Sequence, residues 1–145
     1  MLNSDGRRIK RHILIKASSI RFLEAAELNN LKKIHLISDY IDSRTVEINE
    51  YNSNNKIDKS IPINGRKLTN LGIFRKYITE YLYNYPGLNK DMMMLCRQLQ
   101  STSHGVPLEV YAFSHDKRFE NYEYIMSDIF DHIIASVPYF DLEIF

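Results

Sequence analysis

Cysteine occurs once, at Cys96. No internal disulfide and no cysteine-based zinc cluster can form from a single thiol, and a reducing compartment is consistent with that count. A surplus of charge is also missing: nineteen Lys and Arg against eighteen Asp and Glu leave a net +1. That balance excludes a general electrostatic attraction to nucleic acid or anionic lipid, so any such binding needs a local patch. The one candidate is "GRRIKRH", where Arg7, Arg8, Lys10 and Arg11 cluster. Apolar runs are short. The opening "MLNSDGRRIK" has no apolar core of a signal peptide, and no window approaches the roughly twenty apolar residues of a membrane span. The chain as it stands is expected to be soluble. GxSxG, GxGxxG and the P-loop are all absent, which removes the commonest nucleophile-elbow and nucleotide-cradle signatures.

What remains is the composition of a globular domain: 145 residues, 44% hydrophobic and 26% charged, long enough to bury a core. In "RIKRHILIKA", Ile9, Arg11, Ile13 and Ile15 alternate with Lys10, His12, Leu14 and Lys16, which predicts a strand exposed on one face. "FLEAAELNNLKKIHLISDYI" carries Leu28, Leu31, Ile34, Ile37 and Ile41 at spacings of three and four, the pattern of one amphipathic helix. "SRTVEINEYN" predicts a short second helix capped by Asp42 or Ser43. Asn52 to Lys67 is rich in Asn, Ser and Lys and reads as a long loop, with a short strand around Ile61 to Ile63.

Helical spacing returns at Thr69. Leu71, Phe74, Ile78, Tyr81, Leu82 and Tyr85 form a stripe, Thr69 or Asn70 caps it, and Pro86-Gly87 stops it. "DMMMLCRQLQ" reads as a strand, "TSHG" as a turn, and "VPLEVYAFSH" as a strand forming an antiparallel hairpin with it. Val106, Leu108, Val110 and Ala112 fall on one face; Glu109, Tyr111, Phe113 and His115 fall on the other. That second face is expected to be exposed unless another layer or subunit covers it. A last helix from about Lys117 to Val137, capped by Asp116 or Ser114, buries Phe119, Tyr122, Met126, Ile129, Ile133 and Val137. "DLEIF" closes the chain as a strand. The order is that of an α+β, ferredoxin-like βαββαβ sandwich with a helical and loop insertion after the first strand.

The chemistry-bearing residues give little. Asp128, Asp131 and His132 share one face of the last helix. A helix-borne zinc site needs two His or Cys plus a third ligand, and one imidazole does not supply them. The face is therefore expected to be solvated, with Asp128 and His132 an i,i+4 pair. Cys96 and His104 could pair as nucleophile and base, but an apolar cysteine in a strand is expected to be core packing and His104 a turn residue. No catalytic, cofactor-binding or metal-ligating residue is assigned, and no cofactor is expected.

"SDGRRIKRHILIKASSIRFL", "EINEYN", "LTNLGIFRKYITEYL" and "RQLQSTSHGVPLEVYAFSHDKRFENYEYIMSDIFDHIIASVPYFDLEIF" carry a resemblance over nearly the whole chain. In content and order they are similar to the soluble C-terminal part of the miniconductance branch of bacterial small-conductance mechanosensitive channels. The most specific pieces are "GRRIKR", "TNLGIFR" and "GVPLEVYAFS…YE…DIFDH"; Phe119 stands where relatives often carry tryptophan. The resemblance implies a fragment of a membrane protein whose cytoplasmic parts form a hollow heptameric cage under the inner membrane. It implies that residues 1–17 are the last strand of a sub-membrane β domain, that 18–68 are the insertion, and that 69–145 are the rest of an α/β domain. It further implies a non-enzymatic role in relief of osmotic downshock, with other subunits of the same channel as partners and no nucleic acid. It also implies that this piece, without pore helices, conducts no ions. On that view the strand "RRIKRHILI" has lost its sheet neighbours. The competing expectation is a free-standing ferredoxin-like module that binds RNA or a small regulatory ligand, which would need exposed aromatics on its central strands within a basic surround.

Overall fold

The structure is a computed structural model that describes residues 2, 3 and 6–145, with the side chains of residues 6–145. It is an α+β fold. The sheet is antiparallel in the order β1-β2-β4-β3, from β1 (Leu2–Asn3), β2 (Gly6–Ile15), β3 (Leu95–Gln98) and β4 (Val106–Ser114). Because β1 has only two residues, three strands do the packing. The helices are α1 (Ala25–Leu31), α2 (Ser38–Asn54), α3 (Asn70–Tyr83) and α4 (Phe119–Ser136).

The first long strand forms as its alternation predicts, with Ile9, Ile13 and Ile15 buried and Lys10 and His12 exposed. It is not an orphan. It pairs with β4 along one edge, from Arg7 opposite Ser114 to Ile15 opposite Val106, while its other edge meets β1 at Gly6 and Arg7 and Ile144 at Ile15. The hairpin also forms, with Cys96 opposite Val110 and Gln98 opposite Leu108. Gly105 turns the chain there at φ +121, and a Cβ on it would sit 2.7 Å from the Ile15 carbonyl oxygen. Only glycine fits that approach without strain.

The inner face of the sheet carries Ile9 and Ile15 from β2, Cys96 from β3, and Leu108, Val110 and Ala112 from β4. These join Phe74, Ile78 and Leu82 of α3 and Ile129 and Ile133 of α4 in one hydrophobic cluster. Leu23, Leu31, Ile37, Ile41 and Ile48 belong to the same cluster, so residues 18–68 share the core with the rest.

Several expectations are corrected. The predicted single helix is broken: α1 ends at Leu31, Ile34 takes extended backbone (φ −81, ψ 111), and a 3-10 turn at His35–Ile37 leads into α2. Asn29, Asn30 and β-branched Ile34 are weak helix formers, and the break lets both Leu31 and Ile37 reach the core. The predicted second helix is no separate element. It is the body of α2, whose cap position is Ile37 rather than Asp42 or Ser43. No strand forms at Ile61 to Ile63; both isoleucines are exposed in a chain of turns. The methionine run contributes little strand, since β3 begins at Leu95. In α4 the cap position is Arg118, whose amide donates to Asp116 Oδ1 (3.0 Å), and Phe119 is exposed instead of buried.

"DLEIF" is not a strand either. Residues Val137–Phe140 form a 3-10 turn, Asp141 takes a left-handed φ of 53, and only a bridge from Ile144 to Ile15 joins the tail to β2. The α3 expectation, by contrast, is met closely. Thr69 caps it by accepting the Gly72 amide hydrogen at 3.1 Å.

Candidate functional site

The three residues singled out on the last helix are placed apart in role. Asp131 is exposed, whereas Asp128 and His132 turn toward α3. On α3, Tyr77 and Tyr81 stand one turn apart, and Tyr85 follows just past its end. Tyr77 Oη lies 2.7 Å from His132 Nε2, and the Tyr85 hydroxyl donates to Asp128 Oδ2 at 2.8 Å. Between them the Tyr81 ring lies flat on the imidazole, with centroids 4.0 Å apart and planes 3° from parallel. Rising numbers on α3 meet falling numbers on α4, so the helices run antiparallel and the i,i+4 sets interleave. Asp128 and His132 therefore do not pair with each other, and the face expected to be wet is half of an interhelical seam.

The electrostatics of this seam oppose catalysis by its phenols. Burial, then the Asp128 carboxylate, push the Tyr81 hydroxyl up to about 12. Burial, then the hydrogen bond to Asp128, push Tyr85 up as well. Both phenols hold their protons at neutral pH, where a general base would need a value near 7. Among the described residues, no group of three or more His, Cys, Asp or Glu could hold a metal ion.

Cys96 and His104 are not brought together. Cys96 is buried on the inner sheet face, where burial raises its thiol to about 12. A thiolate nucleophile needs the opposite shift. His104 is exposed in the hairpin turn, edge-on to Phe145.

The basic run "GRRIKRH" is divided by the pleat of β2. Arg7 lies over the rings of Tyr122 (4.3 Å) and Phe119 (5.5 Å), and Arg11 over Phe130 (5.6 Å), all on α4. Arg8 and Lys10 point to the opposite face with His12. Four cations in sequence thus become two pairs on two faces.

Part of the outer sheet face is buried. Phe113 is 8% exposed and Glu109 4%, whereas Tyr111 is half-buried and His115 exposed. Arg97 Nε donates to Glu109 Oε1 at 2.9 Å, and Tyr111 meets Phe113 edge to face at 5.6 Å. Sequence reasoning missed this closure and the role of Tyr77. The signal for the seam was present in the four-residue spacing shared by Tyr77, Tyr81 and Tyr85 on one helix and by Asp128 and His132 on another. No protein-family model matches the chain.

Proposed function

We propose that this chain is a non-catalytic domain from the cytoplasmic cage of a mechanosensitive channel of the miniconductance branch. The observation that carries the reading is where the resembling segments fall. "GRRIKR" opens β2, in the middle of the sheet. "TNLGIFR" supplies the Thr69 cap, and its Asn70 holds the amide of Arg21 and the carbonyls of Ser19 and Phe140. "GVPLEVYAFS" is the turn and β4, and "DIFDH" supplies the α4 half of the seam. The motifs that carry the resemblance thus fall on elements that hold the fold together, which supports a structural part for them.

The finer architecture belongs to the same proposal. With the Ile144 bridge counted as a reduced last strand, the sheet runs 144-β2-β4-β3, the order of a ferredoxin-like βαββαβ sandwich. In the intact protein, tension would open a pore built from membrane helices. No helix among the described residues is long and apolar enough to cross a membrane, so the domain's part would be to shape the cage and filter what reaches the pore. The burial of Phe113 and the tie between Arg97 and Glu109 disfavour base stacking on the outer face, the alternative as an RNA-binding module.

The test has two steps. The reading frame upstream of Met1 should encode several apolar helices in frame. The complete protein should then restore survival of osmotic downshock to bacteria lacking such channels and give a tension-gated conductance in membrane patches. An isolated start at Met1 with no such helices, or a complete protein without tension-gated current, overturns the proposal.

A further inference from the structure

A cleft of ≈ 270 Å³ opens between α1, α2 and the turns leading to Leu68. Leu28 and Ile48 line it with Thr45 and Asn49 of α2, and its charged lining is Glu24, Lys59, Arg66 and Lys67. It is preformed. The buried Asn52 side chain donates to the Arg66 carbonyl and accepts from the Arg66 amide, both at 3.0 Å, and so pins the far wall to α2. Gly65 permits that clamp: it sits at φ +68, and a Cβ there would lie 2.3 Å from Asn52 Oδ1.

We propose that this cleft binds a small amphipathic carboxylate, its chain on the apolar residues and its anion at the basic side chains of the lining. Size argues for a small ligand, because drug-sized and cofactor pockets run from about 300 to 1,000 Å³. Charge argues for an anion. Arg66 is 3.5 Å from Glu47, and the neighbouring Lys67 is held by Glu24 at 2.7 Å. Lys59 makes no ion pair among the described residues, so one positive charge in the lining is uncompensated. An apolar wall with few convergent polar groups is the usual make-up of a small-molecule site. The inference does not depend on the channel reading.

The experiment follows amide shifts of the whole labelled chain during titration with hexanoate, hexylamine or 1-hexanol at pH 7. Hexanoate should saturate on the order of a millimolar, as expected for so few ligand atoms, and shift Leu28, Ile48, Asn49 and Arg66. Hexylamine and hexanol should bind at least roughly tenfold more weakly. Lys59→Glu, an exposed change, should weaken hexanoate by a similar factor. Thr45→Trp, from a partly exposed helix position, should fill the cleft and abolish the shifts while the rest of the spectrum stays native. No saturable shift, shifts centred elsewhere, equal binding of the three probes, or full binding by Lys59→Glu would each overturn the proposal.

Discussion

At the scale of single residues, identity in sequence says less than the partner found in space. Asp131 and His132 are neighbours on one helix, yet only His132 has a bonded partner, Tyr77, and a stacked one, Tyr81. Truncating His132 to Ala removes a part-buried hydrogen bond and a ring contact, so it should cost about 1–3 kcal/mol. Asp131→Ala should stay within about 0.5 kcal/mol, the range for free surface sites. Urea unfolding of the two variants compares them, and equal losses would remove the seam from the argument. Asn70 is the stronger case. It is fully buried; its oxygen accepts the Arg21 and Leu71 amides, and its amide donates to Ser19 and Phe140 carbonyls. Asn70→Ala leaves several of these groups unpaired in the core, at about 1–3 kcal/mol for each that water cannot reach. A midpoint shift smaller than that of Asp131→Ala would show that water replaces the amide freely.

At the scale of elements, apolar spacing decides which face is buried, and tertiary burial then sets the chemistry of whatever lies there. Ile129 of α4 is fully buried against the sheet and α3. Ile129→Ala should cost about 2–5 kcal/mol, the range for emptying a large aliphatic site; a loss below about 0.5 kcal/mol would place the helix in another register. The same burial makes an alkaline limb. Cys96 on β3 rises from 9.0 to about 12 and Tyr81 on α3 from 10.0 to about 12, with Tyr85 raised beside them, burial being the first cause in each case. Folded values above unfolded ones mean that the folded chain holds these protons more tightly. Their stabilisation is full below about pH 9 and is lost as pH climbs toward about 12. Chemical unfolding at a series of pH values should show that decline, and Cys96→Ala should flatten its lower part. A flat profile from pH 8 to pH 11 would contradict the burial.

At the scale of the whole molecule, the channel reading raises the question of assembly. The proposed ring is held in large part by membrane helices and by a β domain of which, on that reading, these 145 residues supply only the last strand. Each 1.4 kcal/mol of missing contact weakens association tenfold. The prediction is a monomer or small oligomer at micromolar concentration, measured by light scattering. The strand expected to have lost its sheet neighbours is paired with β4 along one edge, while its other edge meets only β1 at Gly6 and Arg7 and Ile144 at Ile15. Two edges are open among the described residues, residues 8–14 of β2, which carry Arg8, Lys10 and Arg11, and β3, which is four residues long and carries Arg97; charged or short edge strands discourage edge-to-edge pairing. A stable species of seven chains would show that this domain alone holds the ring contacts.

By itself, the sequence determined the α+β class, the β2 alternation, the hairpin, α3 with its Thr69 cap, and the core positions Phe74, Ile78 and Leu82 on α3 and Tyr122, Met126, Ile129 and Ile133 on α4. Each of these depends on spacing within a dozen residues, where period two or period 3.6 is enough to choose a face. Only the tertiary structure decided the rest. The break after Leu31 comes from weak formers whose helix is interrupted so that two segments can reach one core, and the tail around Ile144 is reduced to a bridge because Asp141 turns left-handed just before it. The pleat divides the basic run between two faces, the tyrosines of α3 take Asp128 and His132, and Asn52 closes a cleft fourteen residues downstream. In each of these the partner lies far along the chain, or the choice is between burials that local spacing leaves equal, so the physical cause appears only once the layers are packed.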